Sequence, residues 1–188
     1  MTVPFRYRKP GYVALNVTDL DRAVSFYRDL VGLTLEARGN DCVFFRCSDD
    51  HHNLVLYRAP RPGIRRMAFQ LESADDLARA RAWIVGLGWP LESLSPGEAS
   101  ALSQGETLRF RIPDCSLTFE FYASIAQAAT PFVPTAAKIQ RLGHVVVGVR
   151  EPEKVVATLL EKLNFRASDY FGDQVTFLRC WPNPYHHS

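Results

Sequence analysis

Gly11-Tyr12-Val13-Ala14-Leu15-Asn16-Val17 returns later in the chain as Gly143-His144-Val145-Val146-Val147-Gly148-Val149. Each stretch reads as an apolar strand, and each runs through an acidic start into an amphipathic helix. The copies part at one chemically decisive position, where the first has Tyr12 and the second has His144. A scaffold repeated within one chain, with a phenol exchanged for an imidazole, leaves metal chemistry open to only one of the copies.

Outward from the first copy, Thr18 or Asp19 can cap a helix whose apolar positions Leu20, Ala23, Val24, Tyr27, Leu30 and Val31 recur at helical spacing. Gly32 falls where a left-handed C-terminal cap belongs. Strands are predicted at Leu33–Ala37, Cys42–Cys47 and Leu54–Tyr57, separated by the turn formers Gly39-Asn40-Asp41 and Ser48-Asp49-Asp50. The order strand, helix, strand, strand, strand then begins again. Met67–Leu71 is a strand, Ser73 with Asp76 resembles a capping box, and Leu77, Ala80, Ile84 and Leu87 form a helical stripe ending near Gly86 or Gly88. Strands follow at Pro90–Leu94, Thr107–Ile112 and Leu117–Tyr122, with Ser95-Pro96-Gly97 opening a loop.

Ile125–Thr135, rich in Ala and closed by Pro131 and Pro134, reads as a linker. The third unit opens at Leu142, and Pro152 suits the first turn of a helix striped by Val155, Val156, Leu159, Leu160 and Leu163. Asn164 stands where Gly32 stood. Strands are predicted at Phe165–Ala167 and Val175–Cys180, and Trp181 to His187 precede the final Ser188. In the first unit Phe45-Arg46-Cys47 leads to His51-His52 and a last strand; in the third, Leu178-Arg179-Cys180 leads to His186-His187 and stops. The expectation is a chain cut within its third unit, with a fourth unit in the native protein.

Composition excludes several classes. With 47% apolar residues and a formal net charge of +2 in 188 residues, the chain suits one or two soluble globular domains. Its cations are scattered, which argues against a nucleic-acid surface. No apolar stretch reaches the roughly 20 residues that span a bilayer, and the N-terminus lacks the apolar core of a secretory signal. A cytoplasmic location with no membrane partner is expected. The cysteines, at 42, 47, 115 and 180, follow no metal spacing and read as reduced thiols.

Tandem strand-helix-three-strand units with this punctuation resemble the vicinal oxygen chelate superfamily, which includes glyoxalase I, bleomycin-resistance proteins and type I extradiol ring-cleaving dioxygenases. The resemblance rests on Tyr12 to Val17 entering Asp19-Leu20-Asp21-Arg22-Ala23-Val24-Ser25-Phe26-Tyr27, on Leu30 to Gly32-Leu33, and on Leu117-Thr118-Phe119-Glu120-Phe121-Tyr122 as a closing strand. It covers essentially the whole chain. It implies an α+β fold of tandem βαβββ units with curved mixed sheets. Residues 1–135 would form a metal-free N-terminal domain, with units at about 8–60 and 64–124 plus the linker. Residues 136–188 would begin the metal-binding catalytic domain.

A two-unit domain, a linker and then Gly143-His144 is similar to the build of the 2,3-dihydroxybiphenyl dioxygenase kind. That resemblance implies cleavage of a catechol by O2 on Fe(II), or Mn(II), in aromatic catabolism, by a homo-oligomer. Alone, a single His on an apolar strand is more often a hydrogen-bonded core residue than a ligand. The resemblance makes His144 a metal ligand, with the remaining His and Glu ligands beyond Ser188. His187, or His186 in its place, becomes the acid-base residue, because imidazole titrates near neutral pH. Val146 and Phe177 are candidate walls of the substrate pocket.

The N-terminal copies offer Tyr12 and Ala68 at the His144 position, and Leu56 and Glu120 at the carboxylate position. Glu120 is therefore expected to be an exposed or salt-bridged strand residue, and His51-His52 a solvated pair. Two other functions use the same fold. One is a glyoxalase-type lyase, isomerase or thiol transferase; the other is a metal-free binding protein of the bleomycin-resistance type.

Overall fold

The computed structural model describes residues 2–113, 115, 117–135, 137–172 and 174–188. Contacts gather it into two compact units. One holds Gly11–Met67 and Ile125–Leu142; the other holds the chain up to Pro10 with Ala68–Ser124 and Gly143–Ser188. Strand β1 (Tyr7–Val17) and strand β5 (Gly63–Leu71) each run from one unit into the other.

In the first of these units β1 leads to helix α1 (Leu20–Ser25), whose N-cap is Asp19: its carboxylate accepts from the Arg22 amide at 3.0 Å. The helix ends in a π-helical turn, Phe26–Leu30, and Gly32 follows with φ +80°. Strands β2 (Thr34–Arg38), β3 (Cys42–Arg46) and β4 (Leu54–Arg58) complete the module in the order β2-β3-β4-β1, with β4 parallel to β1 and the other pairs antiparallel. Leu20, Val24, Val43, Phe45, Leu54 and Leu56 make its core, so the helix stripe and the strand alternation meet on one face.

The linker is no free tether. His51 and Ala128 donate backbone hydrogen bonds to Ala126 and Asp49, each at 2.8 Å, and the Thr135 hydroxyl donates to the Gly32 carbonyl at 2.8 Å. A methyl group on Gly32 would collide with that hydroxyl, and the left-handed backbone disfavours any side chain there. Gly32→Ala is expected to cost about 1–2 kcal/mol, read as a lower urea midpoint at unchanged m-value.

In the second unit β5 leads to α2 (Ala74–Gly86), capped by Ser73, whose hydroxyl accepts from the Asp76 amide at 3.0 Å. Strands β6 (Leu91–Ser93), β7 (Thr107–Arg111) and β8 (Thr118–Tyr122) follow, giving the order β5-β8-β7-β6. The segment expected to be a loop after Ser95 contains helix α3 (Pro96–Ala101). Ser95 and Glu98 form a reciprocal capping box with Pro at the first helical position, which is sufficient to start a turn.

The third module contributes α4 (Pro152–Lys162), with Pro152 in its first turn, and the antiparallel pair β9 (Phe165–Phe171) and β10 (Val175–Cys180). Asn164 has φ +56°, a left-handed conformation that Gly32 also takes up in the first module. Asn tolerates this conformation, and its side-chain amide donates to the Phe5 carbonyl at 2.7 Å. Tyr7 donates to the Leu163 carbonyl at 2.6 Å, and its ring packs edgewise on Phe69 and Phe121 and tilted against Phe165.

The predicted strand at Gly143–Val149 is not one: residues 142–149 have no regular secondary structure. In the first copy, β1 is held by β4 in the register Val13↔Leu54 to Val17↔Arg58, and among the described residues 143–149 has no such partner. A strand exists only through its neighbour's hydrogen bonds. The sidedness survives all the same, with His144, Val146 and Gly148 exposed and the residues between them half-buried. Among the described residues no helix is long and apolar enough to cross a membrane.

Candidate functional site

β10 carries Phe177 against both histidines that follow it, with ring centroids 5.5 Å from His186 and 5.4 Å from His187. The two imidazoles meet through their Nδ1 atoms at 3.0 Å. His187 then lies edge-to-face on His144, centroids 4.3 Å apart at 70°. The fold thus brings His144 to His187, His186 and Phe177, which lie far from it in sequence. Burial, followed by the neighbouring His144 and His186, holds His187 below the usual imidazole pKa. Val146 is 80% exposed. Asp169 on β9 reaches His186 at 3.8 Å.

The first module repeats this constellation nearly atom for atom. Phe44 stands 5.5 Å from His51 and 5.2 Å from His52, whose Nδ1 atoms meet at 3.1 Å. His52 lies edge-to-face on Tyr12, centroids 4.5 Å apart at 64°. The match reaches the next residue as well. Asn53 Oδ1 accepts from the Cys47 amide at 2.9 Å and Ser188 Oγ from the Cys180 amide at 2.8 Å; the Asn53 and Ser188 amides donate to Phe45 and Leu178.

The expected solvation of His51-His52 is corrected by this geometry. His52 is fully buried beneath Tyr12 and Phe44, and its Nε2 has no hydrogen-bond partner among the described residues. Burial, with His51 and Arg66 adding like charge, brings its pKa down to about 3. Tyr12, in the His144 position, accepts from Arg66 Nε at 3.0 Å, while Arg66 Nη2 donates to Tyr57 at 2.7 Å. Where the third module has an exposed imidazole, the first has a phenol and a buried guanidinium. In the sequence nothing local distinguishes Arg66 from Arg65.

Glu120 takes the salt-bridged one of its two expected alternatives, paired with Arg109 at 2.6 Å and fully buried. Ala68 is buried and offers no donor beside it. Among the described residues no three His, Cys, Asp or Glu side chains are disposed to hold a metal ion. The donor chemistry of His144 fits one position of such a set: an exposed imidazole with a second imidazole against its ring.

Residues 9–97 match the family model described as Glyoxalase/Bleomycin resistance protein/Dioxygenase superfamily. A manganese-dependent 2,3-dihydroxybiphenyl 1,2-dioxygenase of Geobacillus genomosp. 3 is 27% identical over 86% of this chain and 55% of its own length. A metapyrocatechase of Pseudomonas sp. (strain CF600) is 31% identical over 89% of this chain and 57% of its own length. The chain therefore spans little more than half of these relatives. An extradiol ring-cleaving dioxygenase from B. fuscum superposes with TM-score 0.83 at 24% identity, over 100% of this chain and 54% of that one. A Mn(II)-bound glyoxalase from Novosphingobium aromaticivorans superposes with TM-score 0.82 at 27% identity, over 98% and 61%. The α+β fold of tandem modules and these likenesses agree with the family model: residues 9–97 carry the pattern of the Glyoxalase/Bleomycin resistance protein/Dioxygenase superfamily, and most of the chain is similar to about half of each dioxygenase relative named here.

Proposed function

We propose that this chain is part of an extradiol dioxygenase that opens a catechol ring with O2. Residues 1–135 serve as its metal-free domain, and residues 136–188 begin the domain that holds Fe(II) or Mn(II). The observation that carries this reading is the duplicated aromatic constellation. One copy presents His144 where the other is closed by Tyr12 and Arg66. The lyase and isomerase alternatives call for complete metal half-sites, which Tyr12 and Ala68 deny the N-terminal copies. We place the enzyme in the cytoplasm as a homo-oligomer, with its further metal ligands beyond Ser188.

His144 would hold the metal, which when bound would supply Lewis acidity that favours deprotonation of the diol. His187 works alongside it. Its Nδ1 is engaged by His186, so Nε2 is the nitrogen left to hold or move a proton at the substrate oxygen. Its depressed pKa keeps it neutral near pH 7, the form that accepts a proton. Phe177 fixes both rings by edge contact, and Val146, exposed on the same side as His144, is available to an aromatic ring.

The test is anaerobic loading of the full-length protein with Fe(II) or Mn(II), followed by a catechol and oxygen. One O2 consumed per ring opened is expected. His144→Ala should lower metal affinity, whereas His187→Gln should lower kcat about 10²-fold or more with metal binding intact. Full metal occupancy with no oxygen uptake on any catechol would overturn the reading.

A further inference from the structure

The duplication exposes one difference that the dioxygenase reading does not use. Strand pairs β2-β3 and β9-β10 share the same irregularity. In the first, register passes from Leu35↔Phe45 to Ala37↔Phe44, leaving Glu36 as the extra residue; in the second it passes from Ala167↔Leu178 to Asp169↔Phe177, leaving Ser168. Glu36 and Ser168 are therefore counterparts, as are Arg46 and Arg179. In the first module the bulged residue neutralises the arginine: Arg46 Nε donates to Glu36 Oε2 at 2.7 Å, and Arg46 Nη2 donates to Thr130 Oγ1 at 2.9 Å.

In the third module the carboxylate is missing. Arg179 Nε and Ser168 Oγ are both buried atoms with no hydrogen-bond partner among the described residues. Arg179 also stands directly opposite Arg166 in the ladder, a like-charge pair that costs stability unless an anion joins it. Neither arginine has an ion pair among the described residues. Both guanidinium groups instead face Trp181, at 5.1 Å for Arg179 and 6.0 Å for Arg166.

The extra residue lies on β9, so alternation along β10 is unbroken and Arg179 shares a face with Phe177, the ring that braces His186 and His187. Two buried donors and a second cation, on the face that carries the candidate chemistry, make a receptor for a carboxylate.

We propose that Arg179 and Ser168, backed by Arg166 and Trp181, bind an acidic substituent of the substrate, so that the ring cleaved is a catechol bearing a carboxylate side group. This rests on the dioxygenase reading and adds the substrate's charge to it.

The test compares 3,4-dihydroxyphenylacetate with its uncharged methyl ester by calorimetric titration into the Mn(II)-loaded full-length protein. The acid should bind at least about tenfold more tightly than the ester. Arg179→Met should bring the two within about twofold. Ser168→Glu, which recreates the Glu36–Arg46 pair, should do the same while raising the denaturation midpoint. That second variant keeps the test decisive should the first fold poorly.

Equal binding of acid and ester by the unaltered protein would overturn the subsite and leave the dioxygenase reading standing. So would a preference that survives both substitutions. A stabilising Ser168→Glu with an unchanged acid-to-ester ratio would assign the receptor to a carboxylate of the polypeptide and overturn the proposal. Failure of both compounds to bind would overturn this proposal, while the dioxygenase reading would stand or fall separately on oxygen uptake with other catechols.

Discussion

Acidification from pH 6.5 towards pH 3 should strip stability from the protein at about 1.4 kcal/mol per pH unit on account of His52 alone. Its imidazole is fully buried between Tyr12 and Phe44, and burial brings its pKa down to about 3 from 6.5. The native state therefore keeps His52 neutral throughout this window, while the unfolded chain takes up a proton below pH 6.5. The unfolded state binds more protons, so stability rises with pH across the window and is fully present above it. Urea unfolding at intervals from pH 7.5 to 4.5 measures the slope. His52→Phe retains an aromatic ring against Tyr12 and should flatten the curve there. Asp76 acts lower down. Burial raises its pKa, but hydrogen bonds from Ser73, Arg79 and the Arg6 amide outweigh that and hold it below the ordinary value, so its contribution is lost only below about pH 4. Parallel profiles for the two proteins between pH 6.5 and 4.5 would show that His52 is not buried neutral.

Glu36→Ser should destabilise the protein by about 3 kcal/mol. The substitution gives the first module the third module's residue at the bulge. Arg46 is 4% exposed and Glu36 20%, so removing the carboxylate leaves a guanidinium out of water with the Thr130 hydroxyl, the Ser48 carbonyl and the Phe132 ring as its neighbours among the described residues. Breaking a buried pair in this way costs far more than the pair's net worth, because the surviving charge keeps its desolvation penalty. Asp29→Ala is the control. Its partner Arg28 and Asp29 itself are both about half exposed, and that pair should be worth less than 1 kcal/mol. Comparable losses for the two substitutions would refute the burial argument. The converse change, Ser168→Glu, should be stabilising, which ties the stability experiment to the substrate experiment through one structural difference.

Much of the fold was legible in the chain because its signals are local. Asp19, Ser73 and Pro152 start helices at the places their side chains predict, and Gly32 and Asn164 both take up the left-handed conformation expected at a helix end. Periodicity also placed β3, β4 and β10 within a residue of their observed bounds. The errors have a common source. The strand at Gly143–Val149 had the right pattern and no partner to pair with. Ser95 to Glu98 was read by composition as loop, when its capping box and proline outweighed the small residues around it. The position of His51-His52 in a turn implies solvation, whereas the burial of His52 depends on Tyr12 and Phe44 packing over it.

The sequence by itself determined the repeat, the order of elements and the exchange of Tyr12 for His144, since all three are properties of neighbouring residues and of comparison between copies. Tertiary structure alone decided which histidine is buried, which arginine is neutralised and which is left open, and that Arg66 closes the first copy. Each of those outcomes is set by desolvation and by partners brought together across the fold, and a one-dimensional pattern contains no measure of either.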